Sequence, residues 1–183
     1  MKIIDFNKLK EREIINHIRK GYIFIYPTDT IYGLGCNALN ENSVKKIREI
    51  KKSEKPFSII AHDKSWIYRN FDVKKQYIQR LPGPFTFILK QRKQLLPYEV
   101  NLGLDTIGIR IPDHPFTKFI QKAGVPFITT SVNKTGNEPI KEIKKIPKSI
   151  SKAVDIVIDN GELTNNPSIV IDLTNKIARI VRF

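Results

Sequence analysis

The sequence predicts a single α/β domain. Segments of strand character alternate with segments of helical period along the whole length. No linker, low-complexity run or internal repeat divides the chain. Its 183 residues, 40% hydrophobic, suffice for one domain with a real core.

The elements follow in order. Residues 7–20 read as a helix, with Leu9, Ile14, Ile15 and Ile18 on one face and Gly21 as its stop. Residues 22–26 carry the aromatic and β-branched side chains of a buried strand, which ends at Pro27 because proline lacks a ladder donor. Residues 31–36 read as a second strand. Asn40 or Asn42 caps a helix whose Val44, Ile47 and Ile50 recur at helical spacing. Residues 57–61 form a short strand, and 73–81 a helix with Tyr77, Ile78 and Leu81 inward. Gly83-Pro84 opens a strand over 85–90. A strand over 106–111, a helix over 116–122 stopped by Gly124, and a strand over 127–130 come next. The tail holds strands over 154–158, 169–173 and 177–181. The basic stretch 141–152 is expected to be a mobile surface segment.

Composition sets broad bounds. No apolar run approaches the length that crosses a bilayer, and the charged start MKIIDFNKLKERE is no secretory signal, so a cytoplasmic protein is expected. The single cysteine, Cys36, excludes an internal disulfide and a Cys-rich zinc site, and reads as a small buried apolar residue. Asn133-Lys134-Thr135 matches a glycosylation sequon that has no meaning without export. The net charge of +14 permits contact with RNA or other polyanions, but the lysines are spread rather than clustered, as base composition alone would spread them.

The most informative stretch is YPTDTIYGLG, Tyr26 to Gly35. It sets Thr28, Asp29 and Thr30 as a hydroxyl-rich hook at the end of a rigid strand, suited to a small polar ligand. The same residues would equally make a plain turn with local side-chain bonds. Gly33-Leu34-Gly35-Cys36-Asn37-Ala38 fits the loose dinucleotide pattern G-x-G-x-x-A, but its glycines end a strand instead of opening a helix, so a dinucleotide site is not expected. Four further segments load strand or helix ends with polar groups: Lys51-Lys52-Ser53-Glu54-Lys55-Pro56, Asp105 to Arg110, Thr129-Thr130-Ser131-Val132-Asn133, and Asn166-Pro167-Ser168 with Arg182 near the end.

With these in view the chain resembles the YrdC/TsaC family, the threonylcarbamoyl-AMP synthases. YPTDTIYGLG, IREIKKSEKP, LPGPFTFILK, GLDTIGIRIPDHP, VPFITTSVN and the closing SIVIDLT…RIVRF occur in family order over nearly the whole chain. The resemblance implies a twisted mixed sheet with flanking helices and a basic concave cavity. It implies a single YrdC-like domain over residues 1–183, the short form without the longer relatives' extra domain. It also implies condensation of L-threonine, bicarbonate and ATP to threonylcarbamoyl-AMP with release of pyrophosphate. Mg²⁺ would ride on the phosphates without a protein metal site, and tRNA would be modified directly or through downstream transfer proteins.

Roles carry over by position. Lys51, Ser131 and Asn133 match the catalytic set. Thr28, Thr30, Arg110, Ser131 and Ser168 match contacts to threonine, with Arg110 suited to its carboxylate. Lys51, Thr106, Thr129, Asn133 and Arg182 match contacts to the nucleotide. One position departs: the arginine of the family's K-x-R motif is Ser53 here, and the loop that follows is shorter. Lys52 or Lys55 is left to supply that charge, and Lys55 is counted with the nucleotide contacts. A family histidine also lacks a match, since Ile60 falls at its position and His62 is offset.

Plainer readings stand beside these. Arg110 would pair with a surface carboxylate, the segment from Lys51 to Lys55 would be a solvated helix end, and Ser131 and Asn133 would cap backbone. His17, His62 and His114 look structural, and Trp66 and Tyr68 look like packing. Two other functions compete: a non-catalytic RNA-binding protein of the same fold, and carbamoyl transfer of the hydrogenase-maturation type, whose acylphosphatase and zinc-finger regions have no counterpart here.

Overall fold

The computed structural model describes residues 1–133 and 137–182. Lys134 and Thr135 of the sequon, and Phe183 of the closing motif, lie outside the described residues.

The chain forms β1 (Lys2–Asp5), α1 (Glu11–Arg19), β2 (Phe24–Tyr26), β3 (Gly33–Gly35), α2 (Glu41–Lys51), β4 (Ser58–Ile60), α3 (Lys64–Asn70) and β5 (Phe71–Asp72). It continues through α4 (Lys75–Ile78), β6 (Phe85–Gln91), α5 (Tyr98–Asn101), β7 (Thr106–Arg110), α6 (Thr117–Ala123) and β8 (Phe127–Ser131). The remainder is α7 (Lys148–Ser151), β9 (Ile156–Asp159), β10 (Ile169–Asp172) and β11 (Arg179–Arg182). All strands join one sheet in the order β1-β9-β2-β3-β8-β4-β7-β6-β10-β11, with β5 paired to β6. The sheet is mixed: β1 with β9, β2 with β9, β4 with β7, and β6 with β10 are parallel, while β2–β3–β8–β4, β7–β6 and β10–β11 are antiparallel.

Strand alternation sorts the core onto two faces. Ile25, Leu34, Ile59, Phe87, Leu89, Ile107, Ile109, Ile128 and Val157 face one side, where Val44 and Ile47 of α2, Ile67 of α3 and Val100 of α5 cover them. Their neighbours Phe24, Tyr26, Ile60, Phe127, Ile156 and Ile158 face the other side and meet Ile14 and Ile18 of α1 and Phe116 and Ile120 of α6. That second helical layer covers only the half of the sheet around β9, β2 and β8. Over β4, β7, β6 and β10 the same face carries Ser58, Gly108, Thr86 and Val170 in place of large apolar groups, and it is left open.

Several boundaries differ from expectation for local reasons. The helix expected from residue 7 begins at Glu11, because the Asp5 carboxylate accepts from Asn7 N and draws Phe6–Lys8 into a separate 3-10 turn. Of the two caps expected for α2, Asn40 is the one in place, its side chain accepting from Ser43 N at 3.0 Å. Strand β2 starts at Phe24, since Ile23 N is taken by the Asp155 carboxylate at 2.8 Å. In the basic stretch 141–152, Lys148–Ser151 forms α7 with Ile150 buried in the core. Among the described residues no helix is long and apolar enough to cross a membrane.

Candidate functional site

The open half of the sheet is the floor of a cavity of about 420 Å³. Its floor residues are small and their side chains pack closely: a Cβ on Gly108 would run into the Ser58 hydroxyl and approach Thr86 Cγ2 at 3.2 Å. Gly35 serves a different close approach, since a Cβ there would strike the backbone oxygen of Ile128. The glycines of the dinucleotide-like pattern therefore belong to strand packing, and α2 begins only at Glu41.

The hook after β2 forms one wall. Thr28 and Thr30 are buried, their hydroxyls 2.9 Å apart, and Thr28 Oγ1 donates to Ile31 O at 2.7 Å. The hook is thus both a side-chain-bonded turn and a cavity wall. Arg110 enters from the end of β7, with its side chain 7% exposed. Its Nη2 donates to Asp29 Oδ1 at 2.6 Å, and both terminal nitrogens lie 3.4 Å from Thr30 Oγ1. Asp29 is held in turn by Asp113 N, which donates to Oδ2 at 3.1 Å. The carboxylate partner expected for Arg110 exists, but the pair is buried at the cavity rather than on the surface. Burial draws the Arg110 guanidinium below its usual range, and Asp29 opposes that shift.

The opposite wall joins α2 to β8. Lys51, the last residue of α2, is 5% exposed and so is not a solvated helix end. Its Nζ donates to Ser131 O at 2.7 Å, Asn133 O at 2.8 Å and Asn133 Oδ1 at 2.6 Å. Ser131 Oγ donates to the same Oδ1 at 2.6 Å, so the three expected catalytic residues form one bonded cluster. Desolvation pulls the Lys51 ammonium down to about 8. After α2 the chain turns through a left-handed Lys52, which is exposed and outside the lining, whereas Ser53 and Lys55 line the cavity. Of the two lysines that could replace the absent arginine, Lys55 is the one placed there.

The third side comes from the tail. Ser168 is buried, its hydroxyl 2.9 Å from Thr86 Oγ1, and Arg182 of β11 donates to Ser168 O at 2.9 Å and to its Oγ at 3.2 Å. Thr129 of β8 completes the set. Thr106 is not brought in. It opens β7 at the end away from Arg110, roughly 13 Å along the strand at ~3.3 Å per residue, and it is absent from the lining. Of the other residues, Cys36 is fully buried, and Trp66 and Tyr68 pack against the core.

The sequence motifs do not single out Asp29 as the partner that stands behind Arg110, nor Ser58, Thr86 and Tyr32 in the lining. A signal existed for two of them. Phe-Ser-Ile-Ile and Phe-Thr-Phe-Ile place a small hydroxyl where strand alternation otherwise puts bulk on the second face. The lining therefore offers four cationic side chains, Lys51, Lys55, Arg110 and Arg182, with a row of hydroxyls and no carboxylate among the described residues. Such a site can hold a polar ligand carrying several negative charges.

The Sua5_yciO_yrdC family model, described as "Telomere recombination", matches residues 16–183. A Methanocaldococcus jannaschii protein named "Putative threonylcarbamoyl-AMP synthase" is 40% identical over 184 residues, spanning 94% of this chain and 86% of that protein. The crystal structure of P. abyssi Sua5 complexed with L-threonine is similar at a TM-score of 0.88 and 29% identity; it covers 100% of this chain, which spans 57% of that longer one. Escherichia coli YciO is similar at a TM-score of 0.84 and 30% identity, over 99% of this chain and 93% of that one. A family match over residues 16–183, with the same fold in both solved structures, means that the chain belongs to the Sua5/YciO/YrdC family.

Proposed function

We propose that the chain synthesises L-threonylcarbamoyl-AMP from L-threonine, bicarbonate and ATP, releasing pyrophosphate, as a nucleotidyltransferase in the modification of tRNA adenosine. Residues 1–183 act as one YrdC-like domain in the cytoplasm, and the product passes to tRNA directly or through threonylcarbamoyl-transfer proteins. One observation carries the reading: Thr30, Lys51, Arg110, Ser131 and Arg182, distant in sequence, line one cavity.

The chemistry asks for such a site. The unprotonated threonine amine attacks bicarbonate carbon, water leaves, and a carbamate forms. A carbamate oxygen then attacks the α-phosphorus of ATP, and the bond to pyrophosphate breaks. Reacting groups that are all anions need fixed cations close by, in a site of low local dielectric. Arg110 takes the threonine carboxylate through the donors that Asp29 leaves available, with Thr28, Thr30 and Ser168 around the rest of the amino acid. Lys51 and Lys55 face the phosphates, and Thr129, Asn133 and Arg182 contact the nucleotide. Ser131 and Asn133 orient Lys51 through the bonds already described. Little proton transfer is asked of side chains, which suits a lining without a His–carboxylate pair. Mg²⁺, which keeps several waters and binds phosphate oxygens readily, fits a hydroxyl-lined cavity as a counter-ion of ATP. There it would neutralise charge on the leaving pyrophosphate.

Threonine-dependent release of pyrophosphate from ATP and labelled bicarbonate tests the proposal. The alternative, an RNA-binding protein without catalysis, draws on the +14 charge and on Ser53 in place of an arginine. It predicts tRNA binding that falls steeply with salt and no pyrophosphate release.

A further inference from the structure

We propose that Arg48 is a positioning residue that fixes Lys55 at the cavity mouth, where Lys55 receives the distal end of a polyphosphate; the inference rests on the nucleotide reading above. Arg48 lies one helical turn before Lys51 but does not line the cavity. Its Nε donates to Glu99 O at 2.6 Å, Nη1 to Ser53 O at 2.8 Å and Lys55 O at 3.2 Å, and Nη2 to Val100 O at 3.3 Å. Its Cζ sits 4.5 Å above the Phe57 ring. All three nitrogens of the guanidinium are thus engaged with backbone carbonyls, two of them belonging to the short loop after α2 and two to α5.

The loop has few other ties. Lys55 N donates to Ser53 Oγ at 3.2 Å, and Phe57 N to Val100 O at 2.8 Å. Between those points Arg48 fastens both Ser53 and Lys55 by their carbonyls and, after the left-handed turn at Lys52, holds the backbone that carries Lys55 against the cavity. A planar fork with five donors can hold diverging carbonyls at once, and a lysine ammonium on a flexible stem cannot hold them in that plane. The two lysines stand at different depths: Lys51 is 5% exposed inside the cavity, while Lys55 is an exposed residue of its lining. Two cations set in depth suit an extended anion, a di- or triphosphate, better than a single phosphate group.

The test is a double-mutant cycle read by calorimetric binding of inorganic pyrophosphate, with ATP, AMP and L-threonine as further ligands. Lys55→Ala should weaken pyrophosphate binding about five- to tenfold, the worth of one charge-assisted contact near a surface. Arg48→Met should weaken it by a similar factor, and the double variant should be no worse than Lys55→Ala alone. AMP and L-threonine should bind each variant as they bind the unaltered chain. If Arg48→Met does not fold, Arg48→Lys takes its place in the cycle, with the same loss expected. Losses that add, an Arg48 variant without loss, or a parallel loss of L-threonine affinity would overturn the proposal. An unaltered chain that binds neither pyrophosphate nor ATP would instead overturn the nucleotide reading on which it rests.

Discussion

Lys51 should make nucleotide affinity depend on pH in the mildly alkaline range. Its ammonium is enclosed, 5% exposed, and desolvation brings it from 10.5 down to about 8. At that value about three-quarters of the free protein carries the proton at pH 7.5, and about one-tenth at pH 9. A phosphate oxygen brought against Nζ favours the charged form, so the complex holds this proton across the whole interval. Wherever the complex binds more protons than the free protein, affinity falls as pH rises. The two fractions give a loss of about eightfold between pH 7.5 and pH 9, in a range where the terminal phosphate of ATP is already ionised, its last proton leaving near ~6.

Isothermal calorimetry in buffers of different ionisation enthalpy reads the proton directly: at pH 8, ATP binding should take up about half a proton. Adenosine, without phosphates, should show no uptake. Lys51→Arg, whose guanidinium stays charged throughout, should flatten the profile. Fold stability should move the other way. The folded-state value lies below the unfolded one, so the cost of burying the ammonium is fully present below pH 8 and relieved as pH climbs towards 10.5. An ATP affinity that is flat from pH 7.5 to 9 in the unaltered chain, or a proton released rather than taken up, would refute the placement of Lys51 against the phosphates.

Other substitutions probe the remaining walls. Arg110→Ala should weaken L-threonine binding roughly 10- to 100-fold, the worth of a hydrogen-bonded charge pair, while ATP binding survives; unchanged threonine affinity by calorimetry would remove Arg110 from the site. Asp29→Ala leaves a guanidinium with a 7% exposed side chain without its carboxylate, and urea unfolding should show a loss of about 3–5 kcal/mol. A loss well below ~1 kcal/mol would place the pair in the class of solvated surface bridges. Gly35→Ala should cost more than Gly108→Ala, because the first meets the Ile128 backbone oxygen and the second a serine hydroxyl that can rotate; equal unfolding midpoints would contradict the packing described. Gly108→Ala should in addition raise the KM for substrate, since its methyl group enters the cavity floor.

What could be read from the sequence follows the range of the interactions. Strands β2, β6, β7 and β8 and a cap at Asn40 or Asn42 are written in local patterns: bulky apolar runs, Pro27, and an Asn just ahead of a helical period; the bond from Ser43 N then selects Asn40. Strand β1 leaves little trace in the sequence, because four residues with three exposed side chains carry little signal. It exists by parallel pairing with β9, more than 150 residues away, Lys2 opposite Ile156. Helix α3 carries a local signal in its cap, the Asp63 carboxylate accepting from Trp66 N at 2.6 Å. Among short elements, such caps hold more information than hydrophobic period does.

The site divides in the same way. Its residues could be named from collinear motifs, but their mutual geometry could not. Lys52 and Lys55 are equivalent as letters, and what separates them is a left-handed residue at the end of α2 together with an arginine bonded to carbonyls across the loop. Thr106 and Arg110 share one motif and one strand, yet a pleated ribbon rising ~3.3 Å per residue keeps its two ends apart, so the cavity at one end does not reach the other. Asp29 looked like a turn residue in the hook, and it is one. Placed by that turn against Arg110, it also supplies the countercharge that offsets the burial of the guanidinium and orients it before any substrate carboxylate arrives. The hook is therefore part of the fold's stability and part of the site at once, which is why its plain reading and its functional reading could not be separated from the letters alone.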